Sequence, residues 1–83
     1  MGTTREEIQG WLERGVEQES THMIVVCDTF DYDDYPVYVP RGESARDAMK
    51  KYDGKDMQRV IEVYSFQRDL ESQLNERRAF HID

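Results

Sequence analysis

Eight residues, Asp28 to Tyr35, hold four carboxylates and three aromatic rings. Clustered carboxylates suit a hard cation, but the spacing is wrong for a calcium loop. There is no Asp-x-Asp-x-Asp-Gly run and no glutamate at the twelfth position. Asp28, Thr29 and Asp31 also suit turns, where short polar side chains bond nearby backbone donors. A third use is recognition: acids interleaved with Phe30, Tyr32 and Tyr35 fit a cationic or aromatic ligand. The recognition candidates are Asp31, Tyr32, Asp34 and Tyr35.

Cys27 stands just before this run. A catalytic thiolate needs a neighbouring base or cation. His22 lies five residues back and projects to the opposite side of the same segment, and His81 reaches Cys27 only if the C-terminal end folds back. Cys27 therefore reads as a buried structural thiol. No Ser/His/Asp order, Gly-rich phosphate loop or zinc spacing occurs. Two histidines and one cysteine cannot close a zinc site without carboxylates. The expectation is a non-enzyme with no catalytic residue, metal site or cofactor. The alternatives are a small divalent-metal hydrolase using Asp28, Asp31 or Asp34, and a purely structural or assembly protein.

A second cluster is cationic. Arg41, Arg46, Lys50, Lys51, Lys55 and Arg59 lie between residues 41 and 59. Of these, Arg41, Lys55 and Arg59 are the candidates for holding a phosphate, with help from Ser44 and the amides opening the second helix. The plain alternative is a capped helix with solvated lysines.

These residues must be carried by a small fold. Thr3 and Thr4 precede Glu6 and Glu7 by three residues each, a capping pattern. Ile8, Trp11, Leu12 and Val16 then form one helical stripe, predicting a helix from Thr4 to Glu17 weakened by Gly10 and Gly15. His22 to Cys27 is β-branched and apolar on both faces, which describes a central strand. Asp28 to Asp34 reads as loop. Tyr35 to Val39 reads as a second strand, placed at an edge by Pro36. Ser44 caps a helix with Ala45, Ala48, Met49 and Tyr52 as its stripe, stopped at Gly54. Met57 to Phe66 reads as a third strand. Gln67 to Arg78 reads as a last helix with a thin stripe of Phe66, Leu70 and Leu74, and residues 79–83 as a flexible tail.

The expected architecture is α+β, in the order α-β-β-α-β-α. The small three-stranded mixed sheet has order 2-1-3, with strands 2 and 3 parallel. Helices 1 and 2 share one face. The other face of the central strand needs the last helix or a second subunit, which predicts a homo-oligomer.

The whole chain of 83 residues makes one domain. The net charge of −7 excludes a generally basic nucleic-acid binder. All of that excess lies in residues 1–40, where two cations stand against nine anions; residues 41–83 balance. The acidic half is either a solvated surface or a face that steers a cationic partner. No stretch reaches the roughly 18 apolar residues of a membrane span, and a single cysteine leans to the cytoplasm.

The run Thr21-His22-Met23-Ile24-Val25-Val26-Cys27-Asp28-Thr29-Phe30-Asp31, continuing through Asp34-Tyr35-Pro36-Val37-Tyr38-Val39, resembles a group of small bacterial and bacteriophage proteins. The similarity extends to residues 57–60 and 62–64, and to Leu74-Asn75-Glu76 with residues 78–81. The group carries no established activity, so the resemblance lends no catalytic or binding residue. It implies a small, stand-alone cytosolic protein carried on mobile genomes. By analogy of class, such proteins act by binding a host protein or a host signalling nucleotide. The expected function is therefore a non-catalytic binding protein of the phage-inhibitor or counter-defence kind.

Overall fold

The computed structural model describes residues 4–31, 33–54, 57–76 and 79–82. The elements are α1 (Arg5–Glu17), β1 (His22–Asp28), β2 (Asp33–Val39), α2 (Ala45–Tyr52), β3 (Gln58–Ser65) and α3 (Leu70–Leu74). The protein is α+β and the sheet order is β2-β1-β3, as the apolar run of β1 predicts. Both neighbours run antiparallel to β1. β2 and β3 are thus parallel to each other but separated by β1, so the sheet is antiparallel throughout and not mixed.

Thr4 caps α1, its hydroxyl accepting from the Glu7 amide at 3.2 Å. Ser44 caps α2 in the same way, accepting from the Asp47 amide at 3.3 Å. The buried face of α1 is Ile8, Leu12 and Gly15. Val16 does not join it and is 56 % exposed. The ring of Phe66 lies against Gly15, so the helix seats on its glycine and turns the adjacent valine outward.

Met23, Ile24, Val25 and Val26 of β1 are all fully buried. Strand alternation divides them between two cores. Met23 and Val25 pack with Ile8, Leu12, Tyr64 and Ala79, bordered by Leu70 and Leu74 of α3. Ile24 and Val26 pack with Val39, Ala45 and Val63, bordered by Met49 and Tyr52 of α2 and by Ile82. Helices 1 and 2 therefore lie on opposite faces, correcting the expected shared face. The chain covers both sides of β1 by itself, so the need that pointed to a second subunit is met within one copy.

The C-terminal end also differs from expectation. The Val63 amide donates to the Ala79 carbonyl and the His81 amide to the Val63 carbonyl, both at 2.9 Å. Ala79 is wholly buried, and residues 79–82 form a strap along β3 and not a loose tail. The last helix is shorter than the predicted span to Arg78, whose end lies outside the described residues. Asp69 caps it, accepting from the Glu71 amide and the Ser72 hydroxyl. Residues 67 and 68 turn instead of winding, their amides bonded to Ser65.

Candidate functional site

The predicted loop from Asp28 to Asp34 is shorter than expected, because the strands extend into it from both ends. Asp28 ends β1, and Asp33 and Asp34 open β2, leaving residues 29–32 as the connection. Four residues is an ordinary hairpin loop, so its length needs no special purpose. Asp28 serves the turn: its carboxylate accepts from the Phe30 amide at 2.8 Å.

The hairpin tip is fastened to the segment that leads into β3. The Thr29 amide and hydroxyl both donate to the Met57 carbonyl, at 2.6 and 2.7 Å. Met57 adopts φ +62°, a conformation that costs a non-glycine residue on the order of 1–2 kcal/mol. The fastening leaves two apolar side chains in solvent on joined segments: Phe30 is 72 % and Met57 61 % exposed. Asp31 and Asp33 are exposed on the same hairpin as Phe30.

Behind the tip, a row crosses all three strands. Cys27 pairs with Asp34 on one side and Arg59 on the other. Directly opposed residues project to one face, so a carboxylate, a thiol and a guanidinium stand side by side. Burial pushes the Cys27 thiol up, its hydrogen bond to Asp34 and that carboxylate's charge add to the rise, and Arg59 opposes it. Such a thiol is a poor nucleophile. His22 sits at the other end of β1, and His81 pairs with Glu76 at 2.6 Å.

The predicted recognition residues separate. Asp31 is exposed at the tip, and Asp34 is half-buried in the Cys27 row. Tyr35 borders the α2-side core, and its hydroxyl accepts from the Gln58 amide nitrogen at 2.7 Å. Burial raises its pKa, with smaller contributions from Tyr52 and Asp28. It is a packing residue, not an exposed stacking platform. Arg41 lies beyond Val39, the partner of His22, while Arg59 faces Cys27. Those positions differ by about 17 Å of strand at roughly 3.4 Å per residue, so no single phosphate engages both. Tyr32 and Lys55 lie outside the described residues.

Among the described residues, no three of His, Cys, Asp and Glu come together as a metal-ligand set. Strand alternation is the reason: Asp28 and Asp33 oppose each other on one face, and Asp34 turns to the other.

Sequence reasoning set Phe30 beside the acids and absorbed Met57 into the third strand. Met57 falls just before the β-branched run and three residues after Gly54, a position that suits a turn. Comparison of the chain with protein-family models, curated proteins and solved structures finds no match.

Proposed function

We propose that this is a non-catalytic binding protein that holds a basic surface of another protein against its hairpin end. The observation that carries this is the pair Phe30 and Met57, exposed on segments joined through Thr29, with Asp31 and Asp33 exposed on the same hairpin as Phe30. Apolar anchors within a polar rim are the usual anatomy of a protein contact. The acidic first half of the chain would steer a cationic partner toward it.

A protein partner fits better than a nucleotide. Arg41 and Arg59 are at opposite ends of β1, and the Tyr35 hydroxyl is engaged by Gln58. On the resemblance to small bacterial and bacteriophage proteins, the partner is a host protein in the cytoplasm, and the chain acts as an inhibitor or counter-defence protein. No described helix is long and apolar enough to cross a membrane. Self-association enters this proposal only as pairing of the acidic half with the basic 41–59 segment of a second copy, which light scattering behind gel filtration reads directly.

The test is affinity capture from a lysate of the source cell with quantitative mass spectrometry. Wild type should enrich one protein that Phe30→Ser/Met57→Ser loses while keeping its circular dichroism. Equal enrichment by both would remove the hairpin end from the proposal.

A further inference from the structure

The α1 and α3 helices leave a half-open groove of about 530 Å³ between them. Its apolar lining is Leu12, Val16, Leu70 and Leu74. Leu12 is buried beneath it, while Val16 stands 56 % exposed. On α1 the lining runs from Arg5 to Val16, about 16 Å at 1.5 Å per residue. That is three helical turns of continuous surface.

Each wall carries one carboxylate. Glu13 on α1 and Glu71 on α3 both line the groove and both are exposed. The one lining cation among the described residues, Arg5, is drawn to the end of the groove, where its guanidinium donates to the Asn75 side-chain oxygen at 3.3 Å. Glu6, Glu7 and Glu17 lie with Arg14 along another side of α1 and do not line the groove. An apolar strip with a carboxylate on each side and its one guanidinium at the end discriminates among occupants. It disfavours an acidic segment, including α1 of a second copy, and favours an apolar face flanked by lysine or arginine. The chain's own described C-terminal end is already committed to β3.

We infer that the α1–α3 groove docks a basic amphipathic helix of a partner protein. Such a segment sets apolar side chains at i, i+3 or i+4, and i+7 along the strip, and its flanking cations meet Glu13 and Glu71. This surface is separate from the hairpin end, and neither depends on the other.

The probe is a fluorescein-labelled 18-residue helical peptide of leucine and lysine, compared with one of identical leucines and glutamate in place of lysine. Anisotropy titration should show wild type binding the lysine peptide and not the glutamate peptide. Glu13→Lys/Glu71→Lys should weaken the lysine peptide at least tenfold and admit the glutamate peptide. Val16→Lys should weaken the lysine peptide, and Phe30→Ser/Met57→Ser should leave it unchanged, which separates this site from the hairpin end. Amide shifts of the wild-type protein with the lysine peptide should map to residues 9–16 and 70–75, a readout that needs no variant. Absence of lysine-peptide binding, equal binding by the charge-reversed variant, or shifts confined elsewhere would overturn the inference.

Discussion

Gly15 and Phe66 share one space: a Cβ at Gly15 would lie 2.8 Å from a ring carbon of Phe66. Phe66 fills the space that a side chain at position 15 would take. This contact explains why Leu12 is buried while Val16, four residues along the same stripe, faces solvent. The other glycine of the helix, Gly10, has nothing within 4 Å of its would-be Cβ.

The two glycines should therefore answer oppositely to alanine. Gly10→Ala should stabilise the protein by up to about 1 kcal/mol through helix propensity. Gly15→Ala should destabilise it by about 1–3 kcal/mol, because the ring must leave a packed core. Urea titrations of both variants check this. A stabilised Gly15→Ala would show that Phe66 does not hold α1 in place.

Val25→Asp should abolish folding. The residue is fully buried at the centre of β1, and an unpaired charge there costs several kcal/mol out of a total of about 5–10 kcal/mol. Asp33→Asn should behave differently. Asp33 directly opposes Asp28 across the hairpin, and like charges in that position repel. The melting temperature should stay within about 3 °C of wild type or rise. A cooperative, wild-type-like melt of Val25→Asp would contradict the central place of β1.

Gln73 is a polar side chain that the core requires. It is 2 % exposed. Its oxygen accepts from the Ser65 amide at 2.8 Å, and its nitrogen donates to the Ser65 carbonyl at 2.9 Å and the Asp69 carbonyl at 3.2 Å. Gln73→Leu should lower stability by about 2–4 kcal/mol, since it strands the buried Ser65 amide and carbonyl. Chemical denaturation measures it; a loss below about 0.5 kcal/mol would mean that water or a local shift replaces the amide.

Alkaline pH should weaken the fold. Tyr64 is held protonated by burial first, then by its hydrogen bond to Glu62 and by that residue's charge, and its pKa lies well above the ordinary 10. Tyr35, Tyr38 and Cys27 are also raised, each chiefly by burial. A folded-state pKa above the unfolded one gives stability that is complete below the unfolded value and lost as pH rises through the folded value. These groups should leave stability level up to about pH 9 and erode it above pH 10. Tyr64→Phe should flatten the decline in urea melts between pH 8 and 11. An unchanged slope would show that Tyr64 is not its main source.

The strands and the order β2-β1-β3 were legible because β1 is apolar on both faces and Pro36 belongs at an edge. The caps Thr4 and Ser44 were legible for an equally local reason, a hydroxyl three residues before an acceptor-seeking amide. What stayed hidden is tertiary. The side of the sheet taken by α2 depends on how the 40–44 turn leaves β2, which periodicity does not encode. Val16 looked like core until Phe66 reached Gly15 from 51 residues away. At the candidate site, the acids were visible, but their division between faces followed from the hairpin register. Met57 is exposed where its carbonyl accepts from Thr29, a pairing between residues 28 positions apart.

We propose the hairpin end as the surface that another protein covers. Hydrogen exchange of the captured complex, compared with the protein alone, tests it most directly. Amides of residues 30–34 and 57–59 should exchange more slowly in the complex, with α2 unchanged. Unaltered exchange at both hairpin segments, with slowing confined to α2, would contradict it.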